Sequence, residues 1–200
     1  PKVGGVLTAS TGIWEPASGL SFSYRWLRDG EPIAAAKTAT YTASVADLGK
    51  EITAEGVATA TGKAPVTATS EAVVIGLGDA AVSAPGQGPT IDTVVRLGAR
   101  VTASPGTWTP TPTRFAYQWL SEGEPISGAT SSSYLPTVED VGGALSVRVT
   151  ARTRGNADGT AASNSVTVAP GAAPVNLERP RIEGIAADGY VLEAREGRWD

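Results

Sequence analysis

Trp14, Trp108 and Trp199 each close a Gly-x-Trp pattern, and the first two are followed by x-Pro. A flat indole presented by a loop can hold a sugar ring through apolar and CH–π contact, with polar neighbours around it. The same ring beneath a proline-bearing loop can instead plug the end of a hydrophobic core. Recurrence fits both, since a repeated site gives avidity and a repeated fold needs the same plug. The carboxylates form the second group. Asp47 and Asp140 stand in Asp-x-Gly at the entry to strands, where a carboxylate accepts backbone N–H bonds. Glu139 with Asp140, or Glu122 with Glu124, would have to lie roughly 5–9.5 Å apart in a cleft for glycoside hydrolysis. Neighbouring residues on a strand point to opposite faces, and a small sandwich offers no deep cleft. Catalytic residues are therefore none, and the expectation is a protein that is not an enzyme.

Composition narrows the chemistry further. The 200 residues include no His and no Cys, which excludes Ser-His-Asp and Cys-His catalysis, His- or Cys-ligated zinc and haem, and disulfides. Asp79, Asp158 and Asp188 lie beside Gly or Ala, but no Asp-x-Asp-x-Asp spacing supports calcium. No metal and no cofactor is expected. A Lys-to-Asn/Asp isopeptide bond is impossible in the second half, because Lys2, Lys37, Lys50 and Lys63 are the only lysines. Sixteen basic against 20 acidic side chains give a net charge of −4, with the signs mixed along the chain. Nucleic acid and anionic membranes, which need a basic patch, are not the expected partners. The longest apolar stretch, 72–77, is far shorter than the ~20 residues of a membrane span. The chain opens at Pro1 without an initiator Met or signal peptide, so it reads as a fragment or processed product. Absence of Cys favours secretion.

The elements that must position these residues are organised by an internal repeat. Gly4 to Pro16 recurs as Gly98 to Pro110, and Gly189 to Asp200 holds the same spacing of Gly, aliphatic, Ala, Gly and Trp. Phe22-Ser23-Tyr24-Arg25-Trp26-Leu27 answers Phe115-Ala116-Tyr117-Gln118-Trp119-Leu120, and Tyr41, Asp47 and Gly49 answer Tyr134, Asp140 and Gly142. A period near 90 residues suits a small β-sandwich rather than a solenoid. Domains are expected at 1–77 (first strand missing), 78–170 (complete) and 171–200 (the start of a truncated third copy). The Gly, Pro and Ala of 76–89 and 170–174 make short, semi-stiff junctions. Residues 174–200 are expected to be flexible or packed against a neighbour, because a fifth of a domain cannot bury a core. Phe22, Tyr24 and Trp26 alternate on one strand face, and Leu145, Val147 and Val149 mark a second strand. Ser163 to Val168 marks a third. Asp29-Gly30 is a hairpin turn; the preceding Arg28 does not make it an adhesive Arg-Gly-Asp. No window supports a long amphipathic helix, so the class is all-β.

Aromatic-x-Trp, an Asp-Gly or Glu-Gly turn, a Tyr some fifteen residues later and Asp-x-Gly together resemble the strand-C tryptophan and E–F corner of immunoglobulin-like domains. The wording Leu-Thr-Ala-Ser-x-Gly-x-Trp, Tyr-x-Trp-Leu, Gly128-Ala129-Thr130 and Asp-x-Gly is similar to tandem bacterial Ig-like repeats of secreted and surface actinobacterial proteins. Departures are the missing cysteines, and Glu51 or Ala144 where the corner tyrosine would stand. The resemblance implies tandem Ig-like β-sandwiches joined by short Pro/Gly/Ala linkers, with Trp26, Trp119, Tyr24, Tyr117, Asp47 and Asp140 as structural residues. It implies an extracellular or cell-surface array that acts as a spacer, adhesion or protein-interaction module and contacts neighbouring domains or subunits. Two alternatives stay open. One is a carbohydrate-binding accessory module of a secreted hydrolase, touching cell-wall or environmental polysaccharide through Trp14, Trp108 and Trp199. The other is a strand-exchanging subunit of a surface fibre, suggested by unpaired edges at both ends.

Overall fold

A computed structural model describes residues 1–15 and 18–200. Regular structure among them is β-strand, apart from two single 3-10 turns at Val45–Asp47 and Val138–Asp140.

The strand Arg114–Ser121 shows how the second repeat is built. It pairs antiparallel with Ala144–Arg152 along its whole length and closes a hairpin with Glu124–Pro125. The hairpin follows from Glu122 and Gly123, whose φ values of 52° and 85° supply the two left-handed positions of a tight turn. Asp29 and Gly30 do the same in the first repeat, at 47° and 84°. Ala144–Arg152 also pairs with Gly159–Ala162 and Val166–Ala169, and Val95–Arg96 joins parallel to the latter. The opposing sheet orders Ser133–Tyr134, Val101–Ser104 and Thr90–Ile91. Between the sheets, Trp119, Leu145, Val147 and Val149 have no exposed surface and meet Ile91, Val101 and Ala103 from the facing layer. This is a β-sandwich, and its alternation is the one read from sequence.

Of the expected strand Ser163 to Val168, only Val166 to Val168 lies in a strand (Val166–Ala169); Ser163 to Ser165 separate it from the preceding strand Gly159–Ala162. The reason is local: the Ser163 amide donates to the Val147 carbonyl at 2.9 Å, while the Val147 amide donates to Ser163 Oγ at 3.0 Å. A hydroxyl thus takes the place of a ladder carbonyl, and a side chain that bonds backbone interrupts the ladder. Ser70 does the same to Ala54 in the first repeat, at 2.9 and 3.0 Å.

The first repeat pairs Ser21–Arg28 with Glu51–Thr59, flanked by Glu31–Pro32, Val66–Thr69 and Val73–Val74. Among the described residues the facing sheet is Val6–Thr8 with Thr40–Thr42. Its core is correspondingly smaller: Trp26, Ala43, Ile52, Ala54 and Ile75, with Leu7 and Tyr41 packed alongside. From residue 171 onward no residue is buried. Even so, Asn176–Glu178 pairs with Arg198–Trp199, and Arg181–Gly184 with Leu192–Arg195. The architecture is that of tandem Ig-like β-sandwiches.

The connection between the first two repeats is bonded from both sides. Gly76 accepts from the Val3 amide at 3.0 Å, and Gly78 donates to the Gly155 carbonyl and accepts from the Ala157 amide at 2.9 and 3.0 Å. Lys2 Nζ lies 2.6 Å from the Asp79 carboxylate, and Asn156 Nδ2 donates to the Asp79 carbonyl at 2.7 Å. Glycine at 78 is required by space, since a Cβ there would lie 2.8 Å from the Val3 carbonyl oxygen and 2.9 Å from Asn156 Nδ2.

Candidate functional site

The three Gly-x-Trp loops share one device. In each, the indole N–H donates to the carbonyl three residues earlier: Trp14 to Thr11, Trp108 to Pro105 at 2.7 Å, Trp199 to Glu196 at 3.2 Å. The glycine between donor and acceptor has φ of 76°, 74° and 80° respectively. A left-handed glycine turns the preceding carbonyl back under the ring, which is why Gly recurs there. With the N–H committed inward, only the ring faces and edge remain for a ligand.

The same device sits in three different environments. Trp108 is 5% exposed, a member of the second core with Phe115 packed against that core, and its strand pairs with Val82–Ser83. Its ring tilts against Phe115 at 6.4 Å. The Trp108 ring, packed in the core, leaves little face for a pyranose to stack on. Trp14 is half-buried, 5.8 Å from Phe22, and Trp199 is 51% exposed.

Trp26 and Trp119 occupy equivalent positions in their cores. Their indole N–H groups donate to the carbonyls of Thr38 and Ser131, both at 2.9 Å. Tyr41 and Tyr134 stack on them at 5.6 Å. Tyr24 and Tyr117 continue the aromatic row but are only half-buried. Tyr117 packs against the second core, and Tyr24 lies over Gly56.

Among the described residues, Asp47 and Asp140 are the buried charged ones. Oδ2 of Asp140 accepts from Tyr134 Oη at 2.7 Å, the Thr137 amide at 2.8 Å and Thr137 Oγ1 at 3.1 Å. Asp47 Oδ2 accepts the matching set: Tyr41 Oη at 2.7 Å, the Ser44 amide at 2.6 Å and Ser44 Oγ at 2.8 Å. Its Oδ1 adds Arg28 Nε at 2.6 Å. Burial pushes the Asp47 carboxyl up, but the bonds from Tyr41, Ser44 and Arg28 together outweigh it and hold the group below the usual carboxylate range. Tyr134 moves the other way, pushed up to about 12 by burial and by its bond to the Asp140 carboxylate. Each carboxylate ties a tyrosine beside the core tryptophan to the turn that leads into a central strand. Sequence reading paired the Asp with backbone N–H bonds; it did not foresee the tyrosine hydroxyl, or that Arg28 completes one network where Ser121 leaves the other without a cation. The constant spacing of Tyr41 to Asp47 and Tyr134 to Asp140 was the available signal.

Glu122 is also occupied structurally, since its Oε1 accepts the Ala144 amide at 2.6 Å, as Asp29 accepts from Glu51 at 3.0 Å. Among the described residues no group of three His, Cys, Asp or Glu side chains is placed to hold a metal ion. No described helix is long and apolar enough to cross a membrane. Of the candidate residues, Trp14, Tyr24 and Trp26 line one surface groove, while the buried aspartates lie outside it.

This groove lies on the first repeat. Its volume is about 380 Å³, and Leu7, Ala9, Trp14, Trp26, Ile52 and Glu71 are among its walls. Among the described residues no strand pairs with the outer edge of Val6–Thr8.

No family model and no curated protein matches the sequence. Among solved structures, the ICAM-5 D1-D4 ectodomain fragment aligns over 98% of this chain and 64% of that one, at 15% identity and a TM-score of 0.44. Three N-terminal domains of the highly immunogenic outer capsid protein Hoc of bacteriophage RB49 align over 95% and 63%, at 15% identity and 0.31. Tandem Ig repeats of Dlar align over 76% and 90%, at 13% identity and 0.25. The chain spans less than two thirds of the first two. At these scores the fold assignment rests on the strand pairing and cores described above.

Proposed function

We propose that this chain is a non-catalytic, extracellular Ig-like repeat array. It sets the spacing of neighbouring modules in a larger secreted or surface protein and offers its sheet surfaces to protein partners. In this reading 1–77, 78–170 and 171–200 are successive repeat units, and Trp26, Trp119, Tyr24, Tyr117, Asp47 and Asp140 are structural. The observation that carries it is the junction, where Gly76 to Asp79 is hydrogen-bonded to the first repeat on one side and to residues 155–157 on the other. A tether meant to swing would leave those groups to water; a spacer needs them fixed.

The chain has no cysteine, so Thr61→Cys/Ser127→Cys labels cleanly with a dye pair. A single narrow distance distribution by single-molecule energy transfer is expected, broadening when Gly78 is replaced by a Gly-Ser linker. A broad distribution in the unmodified chain would overturn the spacer reading. The carbohydrate alternative has Trp14 and Trp199 left to it. Retention on a panel of insoluble polysaccharides, lost in a folded Trp14→Ala/Trp199→Ala variant, would replace the proposal with it.

A further inference from the structure

Three arginines of the second repeat have no counterpart in the first. Arg114 and Arg152 stand directly opposite each other across the two central strands, on the face turned away from the core that Phe115 and Ala151 join. Cβ atoms so placed lie about 4.5–5.5 Å apart, and like charges there repel. Arg154 follows two residues after Arg152, and the three line a surface cavity of about 570 Å³ together with Thr113, Thr153 and Asp158. A single carboxylate offsets them, since Arg152 Nε lies 3.0 Å from Asp158 Oδ2. Arg114 and Arg154 are exposed, and neither has an ion-pair partner among the described residues.

The sandwich itself does not need this charge. At the same register the first repeat pairs Ser21 with Thr59, and Thr61 stands where the second has Arg154. The outward-facing Arg25 of the first repeat lies opposite Glu55 and is ion-paired to it. The equivalent pair in the second repeat sets Arg148 opposite Gln118, which leaves that arginine without a carboxylate across the strand. Thr153 stands where the first repeat has Ala60, and its hydroxyl is enclosed with no hydrogen-bond partner among the described residues. Facing guanidinium groups and an enclosed, unmet hydroxyl are both unfavourable, and the first repeat folds the same way without either.

We propose that this cavity binds a short acidic segment of a protein partner, of the Glu-x-Glu type. In an extended segment alternate side chains leave the same side about 6.5 Å apart, so one carboxylate bridges Arg114 and Arg152 while the next reaches Arg154. Guanidinium forks suit this ligand, because they bind a carboxylate through two parallel N–H···O bonds. An acceptor oxygen at the floor of the cavity gives the Thr153 hydroxyl its partner. A long polyanion fits less well: the strand Arg114–Ser121 runs on into Glu122 and Glu124, both exposed, which repel negative charge laid along the sheet. The inference names the chemistry of a partner for the protein-interaction half of the proposed function and rests on it.

The test titrates the 200-residue chain into a dye-labelled Gly-Glu-Thr-Glu-Gly peptide at low salt and follows fluorescence anisotropy. Saturable binding is expected, and a Gly-Gln-Thr-Gln-Gly peptide should show none. Arg114→Ser/Arg154→Thr copies Ser21 and Thr61 of the first repeat and keeps the Arg152–Asp158 pair. It should fold, as circular dichroism checks, and weaken binding by roughly tenfold or more, the range for losing one charged hydrogen bond. Arg96→Ser/Arg100→Ser removes the same charge from residues outside the cavity and should leave binding unchanged. No saturable binding, or equal affinity in the Arg114→Ser/Arg154→Thr variant, would overturn the proposal. So would tighter binding of polygalacturonate than of the peptide at equal carboxylate concentration, since the ligand would then be an acidic polysaccharide. Full displacement of the peptide by equimolar sulfate would overturn it too, by making the cavity a site for any small oxyanion. Each of these results leaves the dye-pair measurement of junction stiffness, made without peptide, untouched.

Discussion

Replacing each buried aspartate by asparagine separates the two carboxylate networks. All three donors around Asp140 converge on Oδ2. An amide at 140 can place its single oxygen there and serve the same three groups, so Asp140→Asn loses charge assistance and little else, about 0.5–1.5 kcal/mol. Asp47 uses both oxygens: Oδ2 takes Tyr41 and Ser44, and Oδ1 takes Arg28. An amide at 47 must turn its NH₂ either toward the Arg28 guanidinium or toward the three donors of Oδ2. Either way donor faces donor at a site with no exposed surface. That leaves a buried group unmet and an ion pair broken, so Asp47→Asn should cost about 2–4 kcal/mol. Removing the orphaned cation tests the cause. Arg28→Ser copies the residue that the second repeat carries at 121, and in the Asp47→Asn background it should recover at least 1 kcal/mol as a coupling energy. Urea unfolding followed by tryptophan fluorescence gives the totals, and amide exchange assigns each loss to its repeat. Equal costs for the two asparagines, or strict additivity of Arg28→Ser with Asp47→Asn, would refute the reasoning.

Other expectations follow from the same geometry. Trp119→Ala should cost ~3–5 kcal/mol and unfold most of the second repeat, because that ring is wholly enclosed, whereas Trp14→Ala, at a half-buried ring, should cost clearly less; thermal unfolding of the two variants checks the order. Gly106→Ala should be far more damaging than Gly12→Ala, since both pay the left-handed backbone penalty of about 1–2 kcal/mol but only Gly106 lies under the Gln87 and Gly88 backbone; circular dichroism melts distinguish them. Tyr134 keeps its proton to about pH 12 in the folded chain against roughly 10 when unfolded. Its contribution is full below pH 10 and is lost as pH rises toward 12, on the order of 1–3 kcal/mol. Phenolate absorbance should therefore rise late and together with unfolding of the second repeat. For Asp47 the sign is opposite: its folded value is depressed, so stability of the first repeat is present above the unfolded value near 3.9 and falls as pH drops through the folded one. Asp47→Asn should flatten that acid limb.

Much of the fold was legible because short-range chemistry dictates it. Alternation of Phe22, Tyr24 and Trp26 fixes which strand face is apolar, Asp29-Gly30 and Glu122-Gly123 fix the hairpins, and the recurring Gly-x-Trp marks equivalent loops. Those signals act within a few residues, where period and left-handed φ leave few alternatives. Ser163 was misread as strand because an alternating pattern does not reveal that a hydroxyl will replace a carbonyl across the sheet.

Three tryptophans with one motif proved to have three exposures, and this only the tertiary structure decided. Trp108 is buried in the second core, which brings together residues from Ala81 to Val168, whereas Trp199 lies in the segment from 171 onward, where no residue is buried. Local sequence sets the ring's turn and its indole hydrogen bond. Whether that ring is wall, plug or surface depends on which distant strand lies across it, and pairing between strands is a property of the folded chain rather than of the motif.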